Sequence, residues 1–290
     1  MTSAERALAG DPTSSAPGYT SVLVPLDGSD LAARALGPAR WLAERLGTSV
    51  HLVSAATAPG SHDTHLEILE SQQVRVPDAT LHLSDAGDAG DAIVSLVREL
   101  DPCLVCMSTH GRSRTAALVG STTVRVATQL AAPLVAVGSR VRSTSLRAER
   151  VVVTLDGWAA AERAIAPAAA WAQALGVRLS LVTSADPLLV SQEEGSRHGD
   201  HYGPTHDPQT YLRDLAQRPG LAALPVDVQV LWSSAAPHVT VGAHLDEHPA
   251  SLVVATSHIR RRFARLALGS KAAKLVHRSP APVLLLPGAG

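Results

Sequence analysis

Residues 108–122, STHGRSRTAALVGST, follow a short apolar run, Cys103–Met107, and end at a Ser-Thr pair that opens a helical pattern. A chain passing close to phosphate needs residues without bulk, and Gly111 and Gly120 supply that at the two ends of the loop. Ser121 and Thr122 stand where the helix begins, so unpaired N–H groups and the positive end of the helix dipole would face an anion. Asp27 closes an earlier apolar run, Val22–Leu26, and a carboxylate there can accept hydrogen bonds from ribose hydroxyls. The loop is not a P-loop, because no lysine follows Gly120. Glycines, Ser-Thr pairs and Asp-Gly also serve as ordinary loop, cap and turn residues, so the pattern alone leaves a nucleotide site and a plain connection both open.

The elements that would position these residues occur twice. Residues 21–55 return as 150–185: Asp27 and Asp156, Pro38 and Pro167, and Leu46 and Leu175 are each 129 positions apart. At the far ends, Gly120-Ser121 matches Gly269-Ser270 and Pro133 matches Pro282, all 149 apart. The spacing grows by 20, so the second copy carries an insertion, placed at about 186–210, which is rich in His, Gly and Pro. In the first copy, strands are expected at 22–26, 50–55, 79–84, 103–107 and 134–137, with helices over 30–46, around Ile93–Leu100, and over 121–131. Strands separated by helices imply α/β domains, each a doubly wound parallel sheet with helices on both faces. Ligands then bind beyond the carboxyl ends of the strands; with the order 3-2-1-4-5 the switch falls between the first strand, ending at Asp27, and the fourth, ending at Ser108.

Composition narrows the function classes. The 290 residues carry a net charge of −1, which gives no overall field for nucleic acid or an anionic membrane. No run approaches the length of a membrane span, and residues 1–18 lack the apolar region of a secretory signal and read as a disordered tail. Cys103 and Cys106 have the spacing of a redox pair, but in a strand they point to opposite faces, so they read as two small buried hydrophobes in a reducing, cytoplasmic protein. His198, Asp200, His201, His206 and Asp207 offer metal-ligand types, yet they lie in what reads as a flexible surface loop, and no metal site is expected. Arg260, Arg261, Arg262 and Arg265 could meet phosphates or an acidic partner, or be simply solvated. His110 and His258 match across the repeat, and no nucleophile, base and orienter assemble from neighbouring signals, so no enzyme is expected.

The whole pattern resembles the universal stress protein family in its tandem, two-domain actinobacterial type. The features that carry it are a first strand ending in Asp, a glycine loop after the fourth strand that closes in Gly-Ser, and a helix leading to Ala-Pro and a last apolar strand. The resemblance implies five-stranded parallel sheets of order 3-2-1-4-5 and, in ATP-binding members, adenosine between the first, second and fourth strands with phosphates on the glycine loop. Carried over, the adenosine contacts fall on Pro25, Leu26, Asp27 and Ala55, and the phosphate contacts on Ser108, Gly111, Gly120 and Ser121. Two departures stand out: Ser108 replaces the first loop glycine, and eight residues rather than nine separate Gly111 from Gly120. The second copy keeps Asp156, Gly269 and Ser270 but has Thr256 and Ile259 in place of the two earlier glycines, and Trp158 where Ser29 stands in the first, so its site reads as degenerate.

The resulting expectation is a first domain at 19–140, a linker at 141–148 and a second domain at 149–290. The two domains would pair through their last strands, PLVAVG and PVLLLPG, as a pseudo-dimer within one chain, with a homodimer of chains possible. The expected function is a regulator that binds ATP, with Mg²⁺, weakly and in the first domain, with slow ATP hydrolysis left open. The alternative is an interaction protein of the same fold that has lost its nucleotide.

Overall fold

The computed structural model describes residues 17–56, 58, 60–85, 87–109, 121–130, 133–142, 146–188, 190, 202, 207–257 and 270–287. The first half runs β1 (Ser21–Pro25), α1 (Asp30–Ala33), α2 (Leu36–Leu46), β2 (Ser49–Ala55), α3 (His62–Gln73), β3 (Thr80–Ser84), α4 (Ala89–Glu99), β4 (Cys103–Ser108), α5 (Ser121–Leu130) and β5 (Leu134–Val137). The second half repeats it as β6 (Arg150–Leu155), α6 (Ala159–Glu162), α7 (Ile165–Leu175), β7 (Arg178–Ala185), α8 (Pro208–Ala216), β8 (Val226–Trp232), α9 (Pro237–Glu247), β9 (Leu252–Ser257), α10 (Ser270–Arg278) and β10 (Val283–Pro287).

Val22, Leu23 and Val24 are all fully buried, as are Val151, Val152 and Val153, because strands of a parallel sheet are covered on both faces. Each half has the order 3-2-1-4-5, and the halves join into one ten-stranded sheet, β3-β2-β1-β4-β5-β10-β9-β6-β7-β8. One face is a single apolar layer running through both halves, with Leu36, Leu42 and Leu52 from the first and Trp171, Leu179 and Leu212 from the second. The other face carries two layers, one beneath α4 and α5 around Ile93, Val105 and Val126, the other beneath α9 and α10 around Val241, Val253 and Val276. Cys103 and Cys106 lie in opposite layers, both as free thiols, and burial pushes the Cys103 thiol up to about 11.

The expected helix over 30–46 is two helices. Pro38 has no N–H to give the carbonyl of Arg34 and its ring crowds that carbonyl, so the chain makes a tight turn at 34–35 and starts again at Leu36. Pro167 does the same between α6 and α7. Gly47 and Gly176 then stop α2 and α7 in the left-handed conformation, at φ 67° and 64°. Helix α3 has no counterpart in the sequence-based expectation, since Leu69 is its only fully buried residue and Leu66 is exposed. The segment at 186–210 needs correcting as well: it is not a plain surface loop throughout. Asp207 caps α8 by accepting from the Thr210 N–H at 2.8 Å, and Tyr202 is buried; His198, Asp200, His201 and His206 lie outside the described residues.

The halves meet where β10 runs antiparallel to β5, with Leu284 opposite Val135. Beside this pair Tyr19 packs on Trp171, ring centroids 6.1 Å apart. Arg140 binds Asp246 at 2.9 Å and donates to the carbonyl of Arg278 at 2.7 Å, and the Arg34 guanidinium donates to the carbonyl of Ser139. Gly138 allows the closest approach: a Cβ there would lie 2.1 Å from the carbonyl oxygen of Val276. At the far edge, Ser49 Oγ meets His51 Nε2 at 3.0 Å and His51 Nδ1 meets His82 Nε2 at 2.8 Å. Burial lowers both pKa values; the partner imidazole lowers His51 further, while Glu99 opposes the shift at His82.

Gly138→Val should therefore force the seam apart and cost about 3 kcal/mol in a urea titration, whereas Gly18→Ala, with nothing within 4 Å of its Cβ, should change stability by less than about 0.5 kcal/mol. The histidine pair is neutral when folded and gains protons more readily when unfolded, so its contribution is complete above the ordinary histidine pKa and is lost as pH falls through it. A His51→Gln, His82→Gln variant should lose less stability than the parent between about pH 7.5 and pH 5, read by chemical denaturation at each pH.

Candidate functional site

The strand order reverses between β1 and β4 in the first half and between β6 and β9 in the second. In the first, the chain leaves β1 through Asp27, Gly28 and Ser29, with Gly28 exposed and at φ 79°. Asp27 Oδ1 accepts from the Ser29 backbone N–H at 2.9 Å and from its hydroxyl at 2.6 Å. Ser29 Oγ in turn accepts from the N–H of Ala32 at 3.1 Å, capping α1. The carboxylate is thus held at the strand end by the helix it precedes.

Pro25 lies opposite Val53, and Leu26 donates to the Val53 carbonyl at 2.8 Å, so Pro25, Leu26 and Asp27 stand beside Ala55 at the end of β2. Ser108 ends β4 on the other side of β1, and its carbonyl accepts from Thr123 Oγ1 at 3.3 Å, which sets the first turn of α5 over the strand end. Thr122 is half-buried in that turn, and Ser121 is its first residue. Gly111, Gly120 and His110 lie outside the described residues.

Two groups escaped sequence reasoning. Ser54 Oγ donates to the carbonyl of Leu26 at 2.8 Å and lies 2.7 Å from His65 Nδ1. The single hydroxyl proton goes to the carbonyl, so His65 is the donor in the second contact, and the pair ties α3 to the strand ends instead of forming a nucleophile and base. Thr183 donates to the Leu155 carbonyl at 2.9 Å in the same way. A hydroxyl recurring 129 positions on within an apolar strand was the available signal. The second group is Arg125, which grips both oxygens of Asp91 at 2.8 Å and reaches Asp88, the N-cap of α4, at 3.2 Å. Gly90 makes room for it, since a Cβ there would lie 2.7 Å from Arg125 Cδ.

The second copy keeps the frame and changes the groups. Val22 pairs with Leu104 and Val151 with Leu252, so Ser108 and Thr256 stand at the same rung. Asp156 accepts from the Trp158 N–H at 3.3 Å, but Trp158 gives α6 no side-chain cap. Lys274 takes the place of Arg125, while Ala236 and Val239 take those of Asp88 and Asp91. A cavity of about 120 Å³ lies between the ends of β6 and β9 and helices α9 and α10, lined by Asp156, His238, Thr256 and Lys271 among apolar residues. Burial, then Lys274 and Arg278, lower the His238 pKa. Ser270 opens α10, and Gly269, His258, Ile259 and Arg260–Arg265 lie outside the described residues. Among the described residues no three His, Cys, Asp or Glu side chains are placed to share a metal, and no helix is long and apolar enough to cross a membrane.

The model of the universal stress protein family matches the chain twice, over residues 18–138 and 148–287. The chain belongs to the universal stress protein family. Among solved structures it is similar to a universal stress protein from Archaeoglobus fulgidus DSM 4304, at 19% identity and TM-score 0.63 over 93% of this chain and 96% of that one. It is also similar to a putative universal stress protein from Pseudomonas aeruginosa UCBPP-PA14, at 15% identity and TM-score 0.60 over 93% and 94%. A protein of unknown function from P. aeruginosa PAO1, PA1789, aligns at 14% identity and TM-score 0.59 over 93% of each chain. At these identities the likeness is one of fold. No curated protein matches the chain significantly.

In a universal stress domain of this build, the first crevice presents a fixed carboxylate and an exposed glycine in the turn after β1, with the start of α5 beside them. Ser29 is the residue on which that arrangement turns. Ser29→Ala removes the cap of α1 and the hydroxyl contact to Asp27 while keeping the backbone N–H contact, and should cost about 1 kcal/mol in a thermal or urea unfolding experiment.

Proposed function

We propose that the first domain holds an adenine nucleotide weakly and that the protein is a nucleotide-responsive stress regulator, not a catalyst. The turn after β1 carries this reading: Asp27 is fixed by Ser29, Gly28 beside it is exposed, and Ser108 and the start of α5 stand across the switch point. Pro25, Leu26 and Ala55 would flank the base and Asp27 would accept from the ribose. Ser121 and Thr122, with Gly111 and Gly120, would meet the phosphates of ATP and its Mg²⁺. Ser108 in place of a glycine and a loop of eight residues argue for affinity at the weak end, a dissociation constant of about 10 µM or more, near −7 kcal/mol.

Calorimetric titration with Mg-ATP tests this. The parent should bind, an Asp27→Ala, Gly120→Val variant should lose at least about tenfold in affinity, and phosphate release should be equal in both. Equal heats from the two proteins would sink the reading. The second reading, an interaction protein without nucleotide, is favoured by Thr256 and Ile259 in the second copy; protein that carries ATP through gel filtration would refute it.

A further inference from the structure

The two glycine turns at the ends of β1 and β6 have the same backbone, with Gly28 at φ 79° and Gly157 at φ 82°, yet Gly28 is exposed and Gly157 is buried. Tyr202 is bonded to the second of these turns. Its N–H donates to the Gly157 carbonyl at 2.9 Å, its side chain is only 3% exposed, and its ring meets that of Tyr211 edge to face at 5.8 Å. Tyr202 adopts φ 59°, a left-handed conformation that a bulky residue rarely takes and that persists only where the surroundings enforce it. Burial of the ring in the apolar layer beside Leu155 and Ala185 supplies that enforcement.

Among the described residues nothing comparable covers the first copy, where six residues, 56–61, connect β2 to α3 and the fourth residue of α3, His65, reaches the strand ends as a polar group. In the second copy Tyr211 is the fourth residue of α8, and Tyr202 lies against it. An aromatic ring of the chain itself thus sits at the carboxyl end of the strand beside which a ligand of this sheet must bind. Among the described residues, the cavity of about 120 Å³ on the β9 side is well below the roughly 300 Å³ at which pockets begin to hold molecules of nucleotide size.

We propose that Tyr202 is a built-in occupant of the second crevice, so that one chain takes up a single nucleotide, in its first domain. The proposal rests on the nucleotide reading above only for the identity of the ligand. Two measurements on the full chain test it, equilibrium dialysis with Mg-ATP and hydrogen exchange without ligand. Tyr202→Gly keeps the left-handed turn and removes the ring, and Tyr202→Asn is the second variant should the first not fold. The parent should bind one nucleotide, Tyr202→Gly two, Asp27→Ala none, and Asp27→Ala with Tyr202→Gly one. A folded Tyr202 variant that binds no more than the parent overturns the proposal. If the parent binds none and Tyr202→Gly binds one, the first-domain reading falls and the plug stands. In the parent without ligand, the Tyr202 amide should exchange at least about tenfold more slowly than in an open chain. Exchange at the open-chain rate overturns the proposal whatever the nucleotide results.

Discussion

Each half of this molecule ends in an apolar strand that would be an unprotected sheet edge if it stood alone. Leu134–Val137 and Val283–Pro287 have no polar residue facing either layer, and an edge of that kind pairs with whatever strand it meets. The antiparallel pairing of β5 with β10 removes both edges at once and lets one apolar layer run from Leu52 to Leu212 without a break. The close approach of Gly138 to Val276 and the clasp of Arg140 on Asp246 and Arg278 follow from that pairing; they fix its register more than they create it. The edges that remain, β3 and β8, carry His82, Asp227 and Gln229, side chains that discourage further strand addition.

The same pairing governs the two crevices. Strands are parallel within a half and antiparallel across the seam, so the carboxyl ends of β1 and β4 point one way and those of β6 and β9 the other. Among the described residues neither crevice borrows a wall from the other, and the apolar layers that hold the fold do not depend on the groups at the strand ends. Divergence there is cheap. The first copy spends two carboxylates on Arg125, whereas the second leaves Lys274 and Lys271 without a carboxylate partner among the described residues. Ion pairs as exposed as those of Arg125 contribute little to stability, so their loss in one copy changes the local potential far more than the folding energy.

Much of the fold was legible because it is written in short periods and in punctuation. Apolar runs marked the strands, Gly47 and Gly176 marked helix ends, and the spacing of Asp27 and Asp156 exposed the repeat. Helix α3 stayed hidden because it lies at an edge and buries one residue fully, which leaves almost no periodic signal. The split between α1 and α2 was signalled by Pro38, but the apolar spacing ran through it and argued for one helix. At the site, residue types and strand positions were readable, while partners were not: the bonds from Ser54 to Leu26 and from Arg125 to Asp91 join positions 28 and 34 apart in the chain, beyond the reach of any local pattern.

Tyr202 shows most clearly why. In the sequence it is one aromatic residue in a polar stretch, and composition argues for a solvated loop. What fixes it is the carbonyl of Gly157, 45 positions earlier, which Tyr202 bonds in the second copy, where Trp158 and Tyr211 stand at the places of Ser29 and His65. A buried ring in a strained conformation is stable only where its surroundings are apolar, and in the second copy the apolar layer that holds Leu155, Ala185 and Tyr211 takes it in. In the second half Tyr202 thus lies against the turn that follows β6, whereas in the first Gly28 is exposed beside a half-buried Asp27.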